Sequence, residues 1–125
     1  MSNGLTSFDT DAIQSFQKFA RQPFKFSVYL LWKLPAAWLA GVRLYSLEAD
    51  TCTTSVPYRW LSQNPFRSTY FACLAMAAEL STGLPAIMYA RGAPKRISML
   101  VTGMEATFVK KATGLTLFTC TELPL

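Results

Sequence analysis

The chain has 125 residues, of which 51% are hydrophobic and 15% are charged, and it carries a net charge of +5 without any histidine. This length predicts one globular domain, and the apolar content excludes intrinsic disorder. A charged fraction below the roughly 25% usual for soluble domains indicates that a partner subunit or lipid covers some apolar surface. The lack of histidine excludes mechanisms that use an imidazole base, and it removes the commonest zinc ligand.

Three cysteines, Cys52, Cys73 and Cys120, stand far apart and form no C-x-x-C pair. This pattern predicts neither a metal site nor a disulfide framework, and it favours buried thiols in a reducing, cytoplasmic compartment. The 12 basic residues are scattered, apart from small groups such as Lys110 and Lys111, and no nucleic-acid-binding motif surrounds them. We therefore expect no bound metal or cofactor and no nucleic-acid partner.

Two apolar stretches, residues 26–42 and 68–90, are long enough to be compared with membrane spans. The first holds Lys33 and Pro35 near its middle, and the second holds Glu79 at its centre. Charged residues at such depths in a bilayer are costly, so a membrane span is not expected.

The first 41 residues have the apolar repeat of helices. Asp9 or Thr10 can cap a first helix that ends before Pro23. A second helix covers residues 24–34, and a following segment either continues it past a kink or makes another turn. We interpret residues 1–41 as an N-terminal helical arm.

From Val42 the pattern changes to the alternation of β-strands. Residues 42–47 and 52–58 predict two strands, and residues 49–51 supply the turn of a hairpin between them. Pro57 indicates an edge strand or a strand end. Residues 59–67 are typical of a loop.

A long apolar helix follows the loop. Ser68 or Thr69 can cap it, and Gly83 and Pro85 mark its end. Because it lacks a polar face, the helix is expected to be buried on all sides, as when a sheet wraps it. Glu79 is its only charge, on a stripe of small residues formed with Ala72, Ala75, Thr82 and Gly83.

Two more strands complete the predicted layout. Residues 97–109 alternate as a long strand that bends at Gly103, residues 112–114 turn the chain, and residues 115–121 form the last strand. The fold class is therefore α+β with an antiparallel sheet.

This order of elements resembles the hotdog fold of acyl-CoA thioesterases, in which an antiparallel sheet wraps a long central helix. Phenylacetyl-CoA thioesterase-like proteins carry an Asn, a Gly three residues later, a His-Gly-Gly run, and an acidic residue nine positions after the histidine. The matching positions here are Asn64, Arg67, Tyr70-Phe71-Ala72 and Glu79. Further runs that look like an uncharacterised thioesterase-like branch of that superfamily are Pro57-Tyr58-Arg59-Trp60, Asn64-Pro65-Phe66-Arg67-Ser68, Ala75-Met76-Ala77-Ala78-Glu79-Leu80-Ser81-Thr82-Gly83 and Phe108-Val109-Lys110-Lys111-Ala112.

The resemblance covers roughly residues 30–121. It implies a hotdog domain over residues 42–125 whose last one or two strands are missing, assembled as a homodimer or a dimer of dimers with active sites between subunits.

The resemblance also implies hydrolysis of an acyl-CoA or related thioester. Glu79 would be the general base for a water or a direct nucleophile, Asn64 would position water or substrate, and Tyr70 would donate a hydrogen bond in place of the histidine. The backbone N–H groups of Phe71 and Ala72 would polarise the thioester carbonyl. Other residues expected to contact substrate are Arg67 and Thr82, with coenzyme A phosphates meeting Arg91, Lys95, Arg96, Lys110 or Lys111.

Alternatives remain at this point. Without the histidine and glycines, the domain can be a non-catalytic acyl or lipid-binding hotdog module. A third hypothesis is a membrane-associated protein whose arm anchors through Trp32 and Trp38. Glu79 can instead be a structural carboxylate, held by loop N–H groups or by a cation from a second subunit, and Arg59 or Arg67 could also pair with it.

Overall fold

The computed structural model describes residues 10–48, 51–93 and 101–121. Three helices come first, and two strands, a short 3₁₀ helix, a long helix and a third strand follow. Their bounds are Thr10–Ala20 (α1), Pro23–Lys33 (α2), Pro35–Ala40 (α3), Arg43–Leu47 (β1), Cys52–Val56 (β2), Trp60–Ser62 (3₁₀), Phe71–Arg91 (α4) and Thr116–Cys120 (β3).

Proline and glycine set the boundaries of the arm helices. Pro23 and Pro35 occupy the first turns of α2 and α3, where no backbone N–H is needed. Gly41 ends α3 in the left-handed conformation at φ 93°, and a Cβ there would lie 2.8 Å from the side chains of Pro57 and Arg59. The predicted helices are thus present over the described residues, with Pro35 beginning a new helix rather than kinking α2.

The three strands form one antiparallel sheet in the order β1-β2-β3. The predicted hairpin and the last strand are confirmed, and β2 ends just before Pro57. Ala49 and Asp50 of the predicted turn lie outside the described residues. The mixed α+β class, with an antiparallel sheet and a long helix, is therefore confirmed.

The long strand predicted over residues 97–109 is not found. Residues 97–100 lie outside the described residues, and residues 101–109 have no regular secondary structure and are exposed. An alternating pattern of apolar residues shows which residues would share a face of a strand, but a strand forms only beside a hydrogen-bonding neighbour. Both edges of β2 are already paired, with β1 and β3. The described part of the sheet therefore has three strands rather than four.

Helix α4 extends further than predicted, to Arg91. Gly83 and Pro85 lie inside the helix instead of ending it. Pro85 lacks the N–H that would continue the hydrogen-bond ladder, but it is buried with Leu84 and Met88 in the core, and this packing maintains the helix.

The start of α4 also differs from the prediction. Tyr70 is the N-cap residue and makes no side-chain cap. The hydroxyls of Ser68 and Thr69 are engaged elsewhere, since Ser68 bonds to Asn64 and Thr69 donates to the Ala112 carbonyl. These bonds, one within the loop and one to a distant segment, replace the expected cap.

Only one side of α4 is buried, which corrects the expectation of burial all round. That side packs on β2 and β3, and Thr54 Oγ1 donates to the Ala77 carbonyl at 2.6 Å. The buried residues of the helix are Cys73, Leu74, Ala77, Leu80, Ser81, Leu84, Pro85 and Met88. Among the described helices, α4 is long and apolar enough to cross a bilayer, with a mean hydropathy of 1.5, but its packing is that of a core helix.

The arm contributes to the same hydrophobic core as the sheet and α4. Phe16, Phe26 and Leu30 are buried in it, together with residues of all later elements except the 3₁₀ helix and β3. The rings of Phe19 and Tyr29 lie 5.6 Å apart and edge-on, next to this core. The arm is therefore packed against the rest of the domain.

Trp38, which was expected to anchor the arm at a membrane together with Trp32, has a structural role. Its Nε1 donates to Ser27 Oγ at 2.9 Å, and the Arg43 guanidinium lies 4.9 Å from its ring centroid. Arg43 also donates to the Trp38 carbonyl, and Arg59 donates to the Leu39 carbonyl, so two cations stabilise the carbonyl end of α3.

Candidate functional site

The loop before α4 is organised around Asn64. Its Oδ1 accepts hydrogen bonds from the backbone N–H groups of Phe66 at 2.8 Å and Ser68 at 3.3 Å, and its Nδ2 donates to Ser68 Oγ at 3.0 Å. This is the pattern of an Asx turn, which fixes the path of the chain into the helix. The amide group of Asn64 is thus committed to its own loop.

Arg67 follows in the left-handed region, at φ 62°. A side chain in that region costs roughly 1 kcal/mol, and glycine occupies it most readily. The resembled thioesterase pattern has its glycine at this same position. A glycine would adopt this conformation without strain, and the Arg67 side chain is exposed.

The first turn of α4 presents free backbone donors. Tyr70 N–H donates to the Ser62 carbonyl at 2.7 Å, and Thr69 N–H donates to the Ala112 carbonyl at 2.8 Å. In the described part of the chain, nothing accepts from the N–H groups of Phe71 and Ala72. They lie at the positive end of the helix dipole and can bind a carbonyl oxygen or an anion.

A crevice of about 470 Å³ lies between this helix start and residues 108–112. The Phe71 and Phe108 rings meet edge to face there, with centroids 6.0 Å apart, and form an apolar wall. Lys111 Nζ donates to the Phe66 carbonyl at 3.1 Å, and Lys110 is exposed at the rim. The lining residues are Asn64, Ser68, Thr69, Phe71, Leu74, Phe108, Val109, Lys110, Lys111 and Ala112.

Glu79 lies on the outer face of α4, away from that crevice. Nine residues of helical rise separate it from Tyr70, which is about 13 Å along the axis. It lines a separate cavity of about 220 Å³, between α4 and the junction of α2 and α3. The other lining residues are Lys33, Leu34, Pro35, Ala36, Ala37, Met76 and Leu80.

The carboxylate of Glu79 is half-buried and has neither a hydrogen bond nor an ion pair with any described residue. Gly83 makes room for it, since a Cβ at that position would lie 2.7 Å from Glu79 Oε2. Arg59 and Arg67, the cations considered as structural partners, do not pair with it. Thr82 Oγ1 is exposed and donates to the Glu79 backbone carbonyl at 3.1 Å.

The predicted site residues thus fall into two groups within one chain. Asn64, Arg67, Tyr70, Phe71 and Ala72 surround the start of α4, whereas Glu79 and Thr82 lie two turns along its outer face. Sequence reasoning assigned no role to the Phe71–Phe108 ring pair, although the run containing Phe108 was one of those that carried the resemblance. It also missed that Gly83 makes room for the Glu79 carboxylate.

Residues 24–122 match DUF4442, a domain of unknown function. The chain belongs to this family. No curated protein matches the DUF4442 chain significantly.

Two solved structures share the fold of this DUF4442 chain. A crystal structure of a protein of unknown function from Chlorobaculum tepidum aligns with a TM-score of 0.65 at 18% identity, covering 82% of this chain and 64% of that one. A structural-genomics target aligns with a TM-score of 0.61 at 21% identity, covering 86% and 69%. The chain therefore spans less than two thirds of the Chlorobaculum protein, and identities this low establish the fold alone.

The cysteines of this DUF4442 chain do not form a reactive centre in the described residues. Cys52 and Cys120 are directly opposite on β2 and β3. The pKa of Cys52 is raised to about 12, mainly by burial and to a smaller extent by the nearby Cys120. Burial also raises the pKa of Cys73. Within the described ranges, no group of three or more His, Cys, Asp or Glu side chains is placed to hold a metal ion.

Proposed function

We propose that this protein is a cytoplasmic thioesterase of the hotdog type, which hydrolyses an acyl-CoA or a related thioester and needs no cofactor. One observation carries the proposal. Glu79 is a half-buried carboxylate without a partner among the described residues, and it is the only charge on the outer face of a long apolar helix. A carboxylate that no neighbouring group engages can take a proton from a water molecule, which is what a general base must do.

In the proposed reaction the thioester carbonyl oxygen accepts from the N–H groups of Phe71 and Ala72. These donors and the helix dipole stabilise the negative charge that develops on that oxygen. Glu79 removes a proton from a water molecule, whose oxygen attacks the carbonyl carbon. The carbon–sulfur bond then breaks, and Glu79 returns the proton to the departing thiolate.

Two copies of the chain are needed to bring these groups together, because Glu79 and the helix start lie about 13 Å apart in one chain. If two α4 helices pack antiparallel and cross at Ala75, Glu79 of each copy lies opposite Phe71 of the other. Small residues on the outer face, Ala72 and Ala75, permit that close approach. A homodimer, or a dimer of dimers, is therefore part of the proposal.

The lysines at the crevice rim suit a coenzyme A tail. Lys110 is exposed, and among the described residues Lys111 bonds only to the Phe66 backbone carbonyl, so both can meet phosphates. Arg91 lies at the opposite end of α4, where its guanidinium is 4.9 Å from the Phe16 ring centroid, so it is not part of this crevice in the same chain.

The test is thiol release from a panel of acyl-CoAs by the folded protein. Glu79→Gln should lower kcat by about 100-fold or more, because it removes the base while keeping the side-chain volume. Glu105→Gln is the matched control, since Glu105 is exposed in the irregular segment and should leave turnover unchanged. Full activity in Glu79→Gln would remove Glu79 from the mechanism.

A second candidate is a non-catalytic acyl-binding module. The Phe71 and Phe108 rings lie beside the helix start, where the resembled pattern has small glycines, and this favours apolar binding over close approach of a thioester to the backbone. It predicts that acyl-CoA raises Tm in wild type and in Glu79→Gln alike, without any thiol release.

A further inference from the structure

The outward face of α2 is apolar and open to solvent. Phe24 is 79% exposed, Val28 52%, Leu31 42% and Trp32 82%. At about 100° per residue, these four side chains form a stripe roughly 100° wide along the helix. Exposed aromatic and aliphatic side chains in one contiguous stripe mark an interaction surface.

The opposite face of α2 holds the helix firmly in the domain. Phe26 and Leu30 are buried in the core, and Ser27 accepts the hydrogen bond from Trp38. The outward stripe is therefore displayed by a fixed helix. A shallow apolar depression of about 480 Å³ runs beside it, lined by Phe19, Phe24, Lys25, Val28, Tyr29 and Trp32.

The charges around this stripe are predominantly basic. Lys25 and Lys33 are exposed on α2 itself, and Lys18 is exposed in the last turn of α1. Over residues 10–40 the sequence has four basic residues and one acidic residue, Asp11, and one of the four cations, Arg21, is paired with Glu48 at 2.7 Å. Cations beside exposed aromatic side chains complement an anionic, amphipathic surface.

We propose that α2 lies in the interfacial region of an anionic lipid bilayer. Phe24, Val28 and Trp32 enter the boundary between headgroups and acyl chains, while Lys25, which lines the same depression, contacts lipid phosphates. An 11-residue helix is about 16 Å long, which suits a position parallel to the bilayer plane and is too short for a span.

The same surface is poorly suited to a second copy of the chain. In a two-fold symmetric contact the same patch faces itself, so the basic border of one copy, with Lys25, would be brought towards that of the other. Tryptophan, whose ring is apolar and whose N–H is polar, is enriched at membrane interfaces. The basic border and the exposed Trp32 therefore favour lipid. This inference does not depend on the proposed hydrolase activity.

The test is co-sedimentation of the full chain with vesicles of phosphatidylcholine, with and without phosphatidylglycerol. We expect binding to the anionic vesicles that falls as salt increases. Trp32→Ser should lower the partition coefficient by at least about tenfold, and Lys25→Gln should lower it by about fivefold. Trp60→Ser is the matched control, because Trp60 is 79% exposed on the 3₁₀ helix, far along the chain from α2.

Absence of binding by the folded wild-type protein would overturn the proposal. So would equal losses in Trp32→Ser and Trp60→Ser, since exposed tryptophan in general would then account for the binding. If Trp32→Ser instead converts a dimer to a monomer in light scattering, without any vesicle binding by wild type, the face is a contact between copies. Circular dichroism of each variant establishes that the fold is retained.

Discussion

Gly83 permits the Glu79 carboxylate to lie against the helix. A substitution at Gly83 therefore tests both stability and function. In Gly83→Ala, the new Cβ would lie 2.7 Å from Glu79 Oε2, so the carboxylate must move. Alanine should also stabilise the interior of α4 by up to about 1 kcal/mol. We expect a higher free energy of unfolding in urea together with slower thioester hydrolysis. Unchanged hydrolysis in Gly83→Ala would indicate that the carboxylate position is not critical.

Arg67 offers a prediction on stability alone. Because it lies at φ 62°, Arg67→Gly should relieve backbone strain and raise the free energy of unfolding by roughly 0.5 kcal/mol, after the greater freedom of glycine in the unfolded chain is counted. Arg67→Val should lower it by more than about 1 kcal/mol, since a β-branched side chain tolerates that region poorly. Urea unfolding of both variants measures the change in the free energy of unfolding from wild type. An Arg67→Gly protein less stable than wild type would show that the backbone at Arg67 is not strained.

At the scale of elements, the burial of β2 and its pairing with β3 set the pKa of the Cys52 thiol. The pKa of Cys52 is raised to about 12 in the folded state, against an ordinary value of 9.0 in the unfolded chain. At pH values between these two, the folded protein keeps the thiol proton and the unfolded chain loses it. The contribution of this thiol to the free energy of unfolding is fully present below about pH 9, and it is lost as the pH rises from there towards 12. Unfolding in urea between about pH 8 and pH 10 should show a falling free energy, with a shallower slope in Cys52→Ala. An identical slope would assign the pH dependence to other groups.

The helix boundaries show which features were predictable from local sequence. Pro23, Pro35 and Gly41 act through their own backbone geometry, so their positions predicted the arm helices correctly. Ser68 and Thr69 were wrongly assigned as caps because the Ser68 hydroxyl bonds to Asn64 in the same loop and the Thr69 hydroxyl donates to Ala112 in the later segment. Local propensity is overridden where a tertiary partner competes for the same hydroxyl.

The candidate site was predictable to a similar degree. The motif spacing selected Asn64, Tyr70 and Phe71, and the structure places all three around the start of α4. It did not reveal that Glu79 lines another cavity, because a spacing along one helix says nothing about which chain supplies the facing group. The strand predicted over residues 97–109 was wrong for its described part, residues 101–109, because alternation carries no information on hydrogen-bonding neighbours.

At the scale of the whole molecule, the proposed reaction depends on assembly through the outer face of α4. Ala75→Arg places a long cation at the proposed crossing point, so we expect a monomer that has lost hydrolysis but keeps its fold. Gln63→Arg, on the exposed loop, is the matched control for added charge. Light scattering measures the mass of each variant. A dimeric Ala75→Arg protein would place the subunit contact elsewhere on the surface.

The central position of β2 bears on how the protein is made. All five of its residues are buried. Strand β1 directly precedes it in the sequence, whereas β3 follows only after the loop, α4 and the irregular segment, with Cys52 opposite Cys120. On a ribosome adding about 5–20 residues per second, one edge of β2 therefore waits for several seconds before β3 has been synthesised. During that interval β2, which is buried in the folded protein, exposes the unpaired amides and carbonyls of one edge to other chains. Nascent chains halted before residue 116 should accordingly be more prone to aggregation, or to capture by a chaperone, than chains released after residue 120.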